Sequence, residues 1–329
     1  MSTLAPTLEA FFTERLLNQR RASPHTVAAY RDSFCLMLNF VHEQIGKEPC
    51  QLDIADLDAP LISAFLNWLE NNRRNGIRTR NARLAAIHSL FRYASLRHPE
   101  HADVIQRVLA IPSKRYERKT VDFLNQEEID ALLAAIDRTK WTCRRDYALL
   151  VLAIQTGLRI SELTGLVAGD LELGSGAHVR CHGKGRKQRA TPLTTQTVAV
   201  LRVWLRELGG CQTDPAFPTL RGGPLSSDAV QWLLAKYASL AAQCCPSLRY
   251  KKVSPHVLRH SCAMNLLHCG VDPTVIALWL GHESVQTTQI YFHTDMALKE
   301  KAISRTAPPN IKPGRYRPPD KLLAFLEAL

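Results

Sequence analysis

Apolar residues recur at helical spacing through the first third of the chain. They repeat every three or four positions over residues 27–38, 61–69 and 84–94, which places them on one face of each predicted helix. Ser23 followed by Pro24 is typical of a helix start, because serine caps and proline fits the first turn. Residues 1–110 are therefore predicted to form a helical domain.

The pattern in the second half is helical with one interruption. An apolar helix over residues 145–156 is closed by Gly157, and segments 177–182 and 187–192 then flank Gly183-Lys184-Gly185 as the strands of a hairpin would. Helical spacing returns at 194–208 and 226–243, and further helices are expected after Ser254, Asp272 and Ser284. We predict a mainly α domain with a small antiparallel sheet over residues 122–305.

Two segments lack this periodicity. Residues 111–121 are polar and basic, which is typical of an interdomain linker. Residues 306–329 are proline-rich and end in a short amphipathic helix pattern. That tail can either fold back on its own domain or reach a neighbouring protomer, and both interpretations stay open.

Composition narrows the class of protein. The 329 residues are 46% hydrophobic, enough for two globular domains, and the formal net charge of +12 favours a polyanionic partner over a neutral one. Charge alone fits a merely basic soluble protein equally well. The nine cysteines form no CxxC pair, the N-terminus shows no signal pattern, and no apolar run has the ~20 residues of a membrane span. We expect a cytoplasmic protein with reduced, mostly buried thiols.

Seven arginines and no acidic residue lie between Asn71 and His98. One such helix can be an ordinary solvated face, but this many unopposed arginines favour a surface that faces DNA phosphates. The contacts assigned to it are Arg73, Arg74, Arg78, Arg80 and Arg83.

Six scattered polar residues could break a phosphodiester bond. Arginine forks can clamp phosphate oxygens, histidine can move protons, and a tyrosine can attack phosphorus. A metal pair at His256 and His260 is the alternative, but HVLRH lacks the glutamate of HExxH and its arginine would repel a cation, so no metal is predicted. The six residues are Arg159, Lys184, His256, Arg259, His282 and Tyr291.

The segments that carry them resemble the tyrosine recombinase (phage integrase) family over most of the chain. They are TGLRISEL, HGKGRKQR, HVLRH and LGHESVQTTQIYFH. The resemblance implies that Tyr291 is the nucleophile, that Lys184 is the hairpin lysine acting as general acid, and that Glu162 is the supporting acidic residue. It also implies that Arg159, Arg259, His256 and His282 contact the scissile phosphate. Lys187 is an alternative to Lys184, and Arg186, Lys187 and Arg189 are assigned as backbone contacts.

The same resemblance implies a fold and a reaction. The fold would be a helical SAM-like core-binding domain and a mostly helical catalytic domain, closing as a C-shaped clamp on double-stranded DNA. The reaction would pass through a 3′-phosphotyrosyl intermediate without ATP, metal or other cofactor, in a homotetramer that pairs two duplexes and serves a mobile element. Alternatives are a type IB topoisomerase-like enzyme and a catalytically inactive DNA-binding regulator.

Overall fold

The boundary between the two units of the chain falls inside the predicted linker. A computed structural model of the protein describes residues 4–116, 122–182 and 188–281 together with Leu326, without the side chain of His182. The units are residues 1–118 and 119–329. Among the described residues, no helix is both long enough and apolar enough to cross a bilayer.

Two of the α-helices of the first unit begin at residues whose side chains cap them. Ser23 Oγ accepts a hydrogen bond from the Thr26 amide at 3.2 Å, and Asp58 Oδ1 accepts one from the Leu61 amide at 2.8 Å. The described helices are α1 (Leu4–Ala10, continuing as a π-helix over Phe11–Gln19), α2 (Pro24–Ile45), α3 (Ala59–Asn71), α4 (Ile77–Ala94) and α5 (Ala102–Leu109). Short 3-10 turns cover Pro49–Gln51, Ile54–Asp56 and Pro99–His101.

The core of the first unit is built from the periodic apolar positions. Phe34, Phe65 and Ile87, one from each of the three predicted stretches, are buried. Phe11 of the π-helix is also buried and meets the Phe34 ring edge-on, with the ring centroids 6.1 Å apart. The helical prediction for this part of the chain is confirmed, and the π-helix is an addition to it.

The second unit is mainly helical, with a three-stranded sheet inserted between α8 and α9. Its described helices are α6 (Gln126–Ala134), α7 (Trp141–Thr156), α8 (Ile160–Thr164), α9 (Thr195–Leu208), α10 (Ser227–Ala241), α11 (Pro255–His268) and α12 (Pro273–Leu280). The strands are β1 (Leu171–Glu172), β2 (His178–His182) and β3 (Gln188–Pro192), and 3-10 turns cover Ala168–Asp170 and Pro246–Tyr250.

The sheet has the order β1-β2-β3 and is antiparallel throughout. Val179 pairs with Thr191 across the hairpin, and Leu171 pairs with Val179 on the other side. The predicted hairpin is therefore confirmed, while β1 was not predicted because a two-residue strand carries no detectable alternation.

Helix α7 lies at the centre of the second unit. Its residues Leu149, Leu150 and Leu152 are fully buried, and the helix packs against α9 and α11. A smaller apolar cluster joins α11 to α12 through residues that include Ala263, Ile276 and Leu280. This packing brings the end of α7, the start of α11 and the end of α12 together.

The expectation of mostly buried thiols is wrong. The nine cysteines all lie within the described residues and form no disulfide, but only Cys143, Cys181 and Cys262 are buried. Most of the others lie on solvent-facing sides of helices or just after a helix ends, such as Cys35 on α2 and Cys244 after α10.

Candidate active site

Gly157 ends α7 and brings three helices into contact. Its φ of 61° lies in the left-handed region, and its amide donates to the Ala153 carbonyl at 2.9 Å. A Cβ at this position would lie 2.7 Å from Leu280 Cδ2 and 3.2 Å from Cys262 Sγ. Glycine is therefore required both for the backbone turn and for the close approach of α11 and α12.

Arg159 follows this turn and begins α8. Glu162 Oε2 accepts from the Arg159 amide at 2.8 Å, and Oε1 accepts from Arg159 Nη1 at 3.0 Å. Arg159 Nη2 donates to the Gly281 carbonyl at 2.8 Å, and 29% of the side chain stays exposed. The predicted supporting acid thus contacts the predicted first arginine directly.

Arg259 of α11 reaches the same place from the interior. It is buried, with Nη1 donating to the Gly157 carbonyl and Nη2 to the Leu280 carbonyl, both at 2.7 Å. The carbonyls of Leu280 and Gly281 end α12, where a helix leaves acceptors unpaired and carries partial negative charge. Two arginines that lie 100 positions apart in the sequence therefore converge on consecutive carbonyls at the C-terminal end of α12.

Glu162 is held as a carboxylate at the centre of this cluster. Its side chain is 2% exposed, and Arg189 of β3 donates Nη1 to Oε1 and Nη2 to Oε2, each at 2.7 Å. Burial opposes ionisation, but the hydrogen bonds from Arg189 and from the Arg159 amide outweigh it and hold the pKa of Glu162 below its ordinary value. Arg189 was predicted to contact the DNA backbone; its fork is instead engaged with this buried carboxylate, so that assignment is corrected.

The two histidines of α11 differ in exposure. His256 is exposed in the first turn, while His260 is half-buried, and their rings stack with centroids 6.5 Å apart. Burial, reinforced by the charges of His256 and Arg259, lowers the pKa of His260 to about 4. A ring that stays neutral near pH 7 suits the structural role predicted for His260. Within the described residues, no group of three or more His, Cys, Asp or Glu side chains could hold a metal ion.

A second buried carboxylate, that of Glu128 on α6, anchors the segment that precedes α11 and was not among the predicted residues. Glu128 Oε2 accepts from Lys251 Nζ at 2.7 Å, and the same ammonium donates to the Phe123 carbonyl at 2.8 Å. Ser247 Oγ donates to Glu128 Oε1 at 2.6 Å. The capping pattern of Asn125 and Glu128 was the only sequence signal for this anchor.

Comparisons with family models and with related proteins show which family the chain belongs to. Residues 122–297 match the model of the phage integrase family, and residues 10–98 match that of its N-terminal SAM-like domain. The protein y4rC of Sinorhizobium fredii (strain NBRC 101917 / NGR234), which carries the name of an integrase/recombinase, is 54% identical over 328 residues, or 100% of this chain and 99% of that protein. The chain belongs to the phage integrase family. The tyrosine recombinase XerC of Xanthomonas campestris pv. campestris (strain B100) is 34% identical over 86% of this chain and 83% of its own length.

Solved structures of this family share the fold. The XerH site-specific recombinase bound to palindromic difH substrate, in a post-cleavage complex, matches with a TM-score of 0.69 at 25% identity, over 87% of this chain and 81% of that chain. The Tn1549 transposon integrase in complex with a circular intermediate DNA matches in fold with a TM-score of 0.67 at 14% identity, over 90% and 98%. The predicted family, the mainly α fold with a small sheet and the class of tyrosine-type recombinase are confirmed.

Several predicted site residues lie outside the described residues. The described chain stops at Gly281, one residue before His282. The tail over residues 306–329 also lies outside, except for Leu326. The predicted residues that the structure does not describe are Lys184, Arg186, Lys187, His282 and Tyr291.

The arginine run of the first unit divides into exposed and buried members. Arg73, Arg74 and Arg78 are exposed, and Arg83 is half-buried. Arg80 is only 5% exposed, and its Nη1 donates to the Pro112 carbonyl at 3.1 Å. Its assignment as a phosphate contact is corrected, because this guanidinium fastens the start of the predicted linker to α4.

Proposed function

We propose that this chain is a site-specific recombinase that cuts and rejoins double-stranded DNA through a 3′-phosphotyrosyl intermediate on Tyr291. The observation that supports it best is the convergence of Arg159 and Arg259 on the last carbonyls of α12. His282 is the next residue along the chain, and Tyr291 follows nine positions later. The donors that would bind a phosphate therefore contact the two residues that directly precede the segment carrying the proposed nucleophile.

Electrostatics of the cluster favour an anionic ligand. The guanidiniums of Arg159 and Arg189 donate to the carboxylate of Glu162, and that of Arg259 donates to the carbonyls of Gly157 and Leu280. A guanidinium has five N–H donors, and the side chain of Arg159, which is 29% exposed, can present others of them to phosphate oxygens besides those that bind Glu162 and Gly281. Donors held in place before the reaction stabilise a transition state more than mobile ones do, because they need not reorganise as charge develops.

The proposed reaction follows from these positions. The Tyr291 hydroxyl passes its proton to His256, His282 or solvent, and its oxygen attacks phosphorus. The bond from phosphorus to the 5′ oxygen breaks, and Lys184 supplies the proton to that oxygen. His256 and His282 would hydrogen-bond non-bridging oxygens or move protons. The new phosphotyrosyl ester keeps the energy of the broken bond, so a 5′-hydroxyl of another duplex can reverse the step on a new partner.

Assembly is part of the same proposal. Exchange between two duplexes calls for several protomers, and we infer a homotetramer on DNA in which the tail over residues 306–329 contacts a neighbour. Arg73, Arg74, Arg78 and Arg83 would hold DNA phosphates in the first unit. Service to a mobile element is supported by the 54% identity to y4rC, named as an integrase/recombinase.

Covalent trapping tests this function. In a duplex nicked near the cleavage site, cleavage releases the short fragment that carries the 5′-hydroxyl. The strand then cannot be rejoined, so an active protein stays attached to the DNA through denaturation. Wild type and Tyr250→Phe, whose ring is 90% exposed outside the cluster, should form the adduct, and Tyr291→Phe should bind DNA without forming it.

The outcomes separate the alternatives. DNA binding without any adduct in the wild type would indicate an inactive regulator. An adduct accompanied by plasmid relaxation but no recombinant product would favour a topoisomerase-like enzyme. An adduct that maps to another tyrosine would overturn the assignment of Tyr291.

A further inference from the structure

Arg189 makes the most enclosed ion pair of the active-site cluster. Both of its terminal nitrogens donate to Glu162, one to each oxygen at 2.7 Å, while its side chain is 13% exposed and that of Glu162 is 2% exposed. A bidentate pair of this kind fixes orientation as well as charge, because two parallel hydrogen bonds allow little rotation.

The same carboxylate also fixes Arg159. Oε1 accepts from Nη1 of both arginines, and Oε2 accepts from Arg189 Nη2 and from the Arg159 amide. Glu162 therefore lies between the two guanidiniums. Any displacement of Arg189 would be transmitted to the backbone and to the side chain of Arg159.

Arg189 is also in contact with the end of α12. A Cβ built on Gly281 would lie 2.7 Å from Arg189 Nη1 and 3.2 Å from its Cδ and Cζ, so the guanidinium lies directly against the glycine Cα. Gly281 has a φ of 63°, and its carbonyl accepts from Arg159 Nη2. One side chain of β3 thus contacts the partners of Arg159 on both sides.

We propose that Arg189 is a positioning residue, which ties β3 to the start of α8 and to the end of α12 and so holds Arg159 in place for the reaction. This role rests on the proposed function, since Arg159 is assigned there to the scissile phosphate. It replaces the interpretation of Arg189 as a DNA-backbone contact.

A readout specific to this role is the ionisation of Glu162. Facing that carboxyl group are Arg159 at the start of α8, Arg189 on β3 and the thiol of Cys181 on β2, whose pKa burial raises to about 11 so that it stays neutral. Burial opposes the charge on Glu162, and the Arg189 hydrogen bonds counter it. Without Arg189 the pKa of the carboxyl group should rise, and cleavage should be lost at a higher pH than in the wild type.

The first experiment measures single-turnover cleavage of nicked DNA at saturating protein between about pH 5 and pH 8, a range that brackets a raised carboxyl pKa. Arg189→Gln should slow cleavage on the order of 100-fold, as misplacement of a reacting group by about 1 Å does, and move its acid limb to higher pH. Arg189→Lys should restore part of both effects. The double variant Arg189→Gln/Glu162→Gln should stay slow but lose the shift of the acid limb.

Arg180→Gln is the matched control on the neighbouring strand β2, where Arg180 is exposed and donates to the Gly169 carbonyl at 2.8 Å. It should cleave at the wild-type rate. If Arg189→Gln instead weakens DNA affinity and leaves the saturated rate and the pH profile unchanged, Arg189 is a phosphate contact and the proposal is wrong.

A second measurement is independent of cleavage. Gly281→Ala should destabilise the wild type strongly, because the methyl group would overlap Arg189, and destabilise Arg189→Ala less. The strain of a left-handed φ is common to both backgrounds and cancels in this double-mutant cycle. Additive losses would overturn the link between β3 and α12, even if the wild type forms no DNA adduct and the proposed function fails.

Discussion

The arginines of the two units are held in opposite ways. In the second unit Arg189 and Arg259 are shielded from solvent, and with Arg159 they donate to a carboxylate or to backbone carbonyls. In the first unit Arg73 and Arg78 are exposed, with Arg73 over the Trp68 ring and Arg78 over the Tyr116 ring, each 5.6 Å from the ring centroid. These exposed side chains keep far more rotational freedom.

The difference matches the two kinds of phosphate contact that we propose. A group that stabilises a transition state must be oriented before charge develops, and burial with fixed partners achieves this. A group that only holds the duplex gains from exposure, because it must follow a regular backbone and release counterions. Position in a basic run does not decide which contact an arginine can make, since Arg80 is buried among exposed neighbours.

The largest expected effect comes from the arginines whose guanidiniums are fixed on the carbonyls that end α12. Arg159→Ala and Arg259→Ala should each slow cleavage at saturating DNA by on the order of 10²–10³-fold, the usual loss for one preorganised donor. Affinity for DNA should change little. Arg206→Ala, which alters an exposed arginine of α9, is the matched control and should cleave normally. Equal losses in Arg206→Ala would remove the distinction between the two kinds of arginine.

Exposed arginines of the first unit should affect binding instead. Replacing Arg73, Arg74 and Arg78 together with alanine should weaken binding to all DNA sequences and flatten the slope of log affinity against log salt by about one unit per lost contact. Thermal stability should stay near that of the wild type. An unchanged slope, measured by titration at several salt concentrations, would place this face in solvent.

Replacing Arg80 should affect stability and not DNA binding. Arg80→Ala leaves the Pro112 carbonyl without its donor and should lower the free energy of unfolding by about 1–3 kcal/mol. The salt slope of DNA binding should not change. Urea unfolding of Arg80→Ala beside Arg78→Ala measures this, and a salt slope reduced by Arg80→Ala alone would restore the original assignment.

The smallest expected effect near pH 7 is that of His260, because its contribution to stability changes only at lower pH. Its folded pKa of about 4 lies below the ordinary 6.5, so the unfolded chain takes up the proton first as the pH falls. Its contribution to stability is complete above about pH 6.5 and is lost as the pH falls toward 4. His260→Gln should flatten the dependence of unfolding free energy on pH in that window, as measured by urea unfolding at several pH values. An identical slope in His260→Gln and the wild type would contradict the burial of this ring.

Local signals in the sequence predicted much of the fold. The caps at Ser23, Ser254 and Asp272 and the stop at Gly157 mark helix ends in the structure, because a cap acts on an amide only two or three residues away. The hairpin was also predicted from a local signal, because Gly183-Lys184-Gly185 separates two short strand patterns. Strand β1 was missed because two residues show no period.

Contacts between distant residues could not be predicted in this way. Arg189 lies 27 positions from Glu162, and Arg80 lies 32 positions from Pro112, so nothing in their own segments reveals that either is engaged. Residue type and family resemblance assigned Arg159 and Arg259 to one site, and the structure brings both to the end of α12. Only the packing of α7, α11 and α12 explains why they meet.

We propose that Arg159 and Arg259 neutralise charge on the scissile phosphate. The most direct measurement is cleavage of a duplex whose scissile linkage is a neutral methylphosphonate. If the claim is correct, Arg159→Ala and Arg259→Ala should regain much of their lost rate on this substrate relative to the wild type, because the charge they would neutralise is gone. Tyr291→Phe should stay inactive on both substrates. If both arginine variants remain as slow on the neutral linkage as on the phosphate, the two side chains do not act on that charge and the account is wrong.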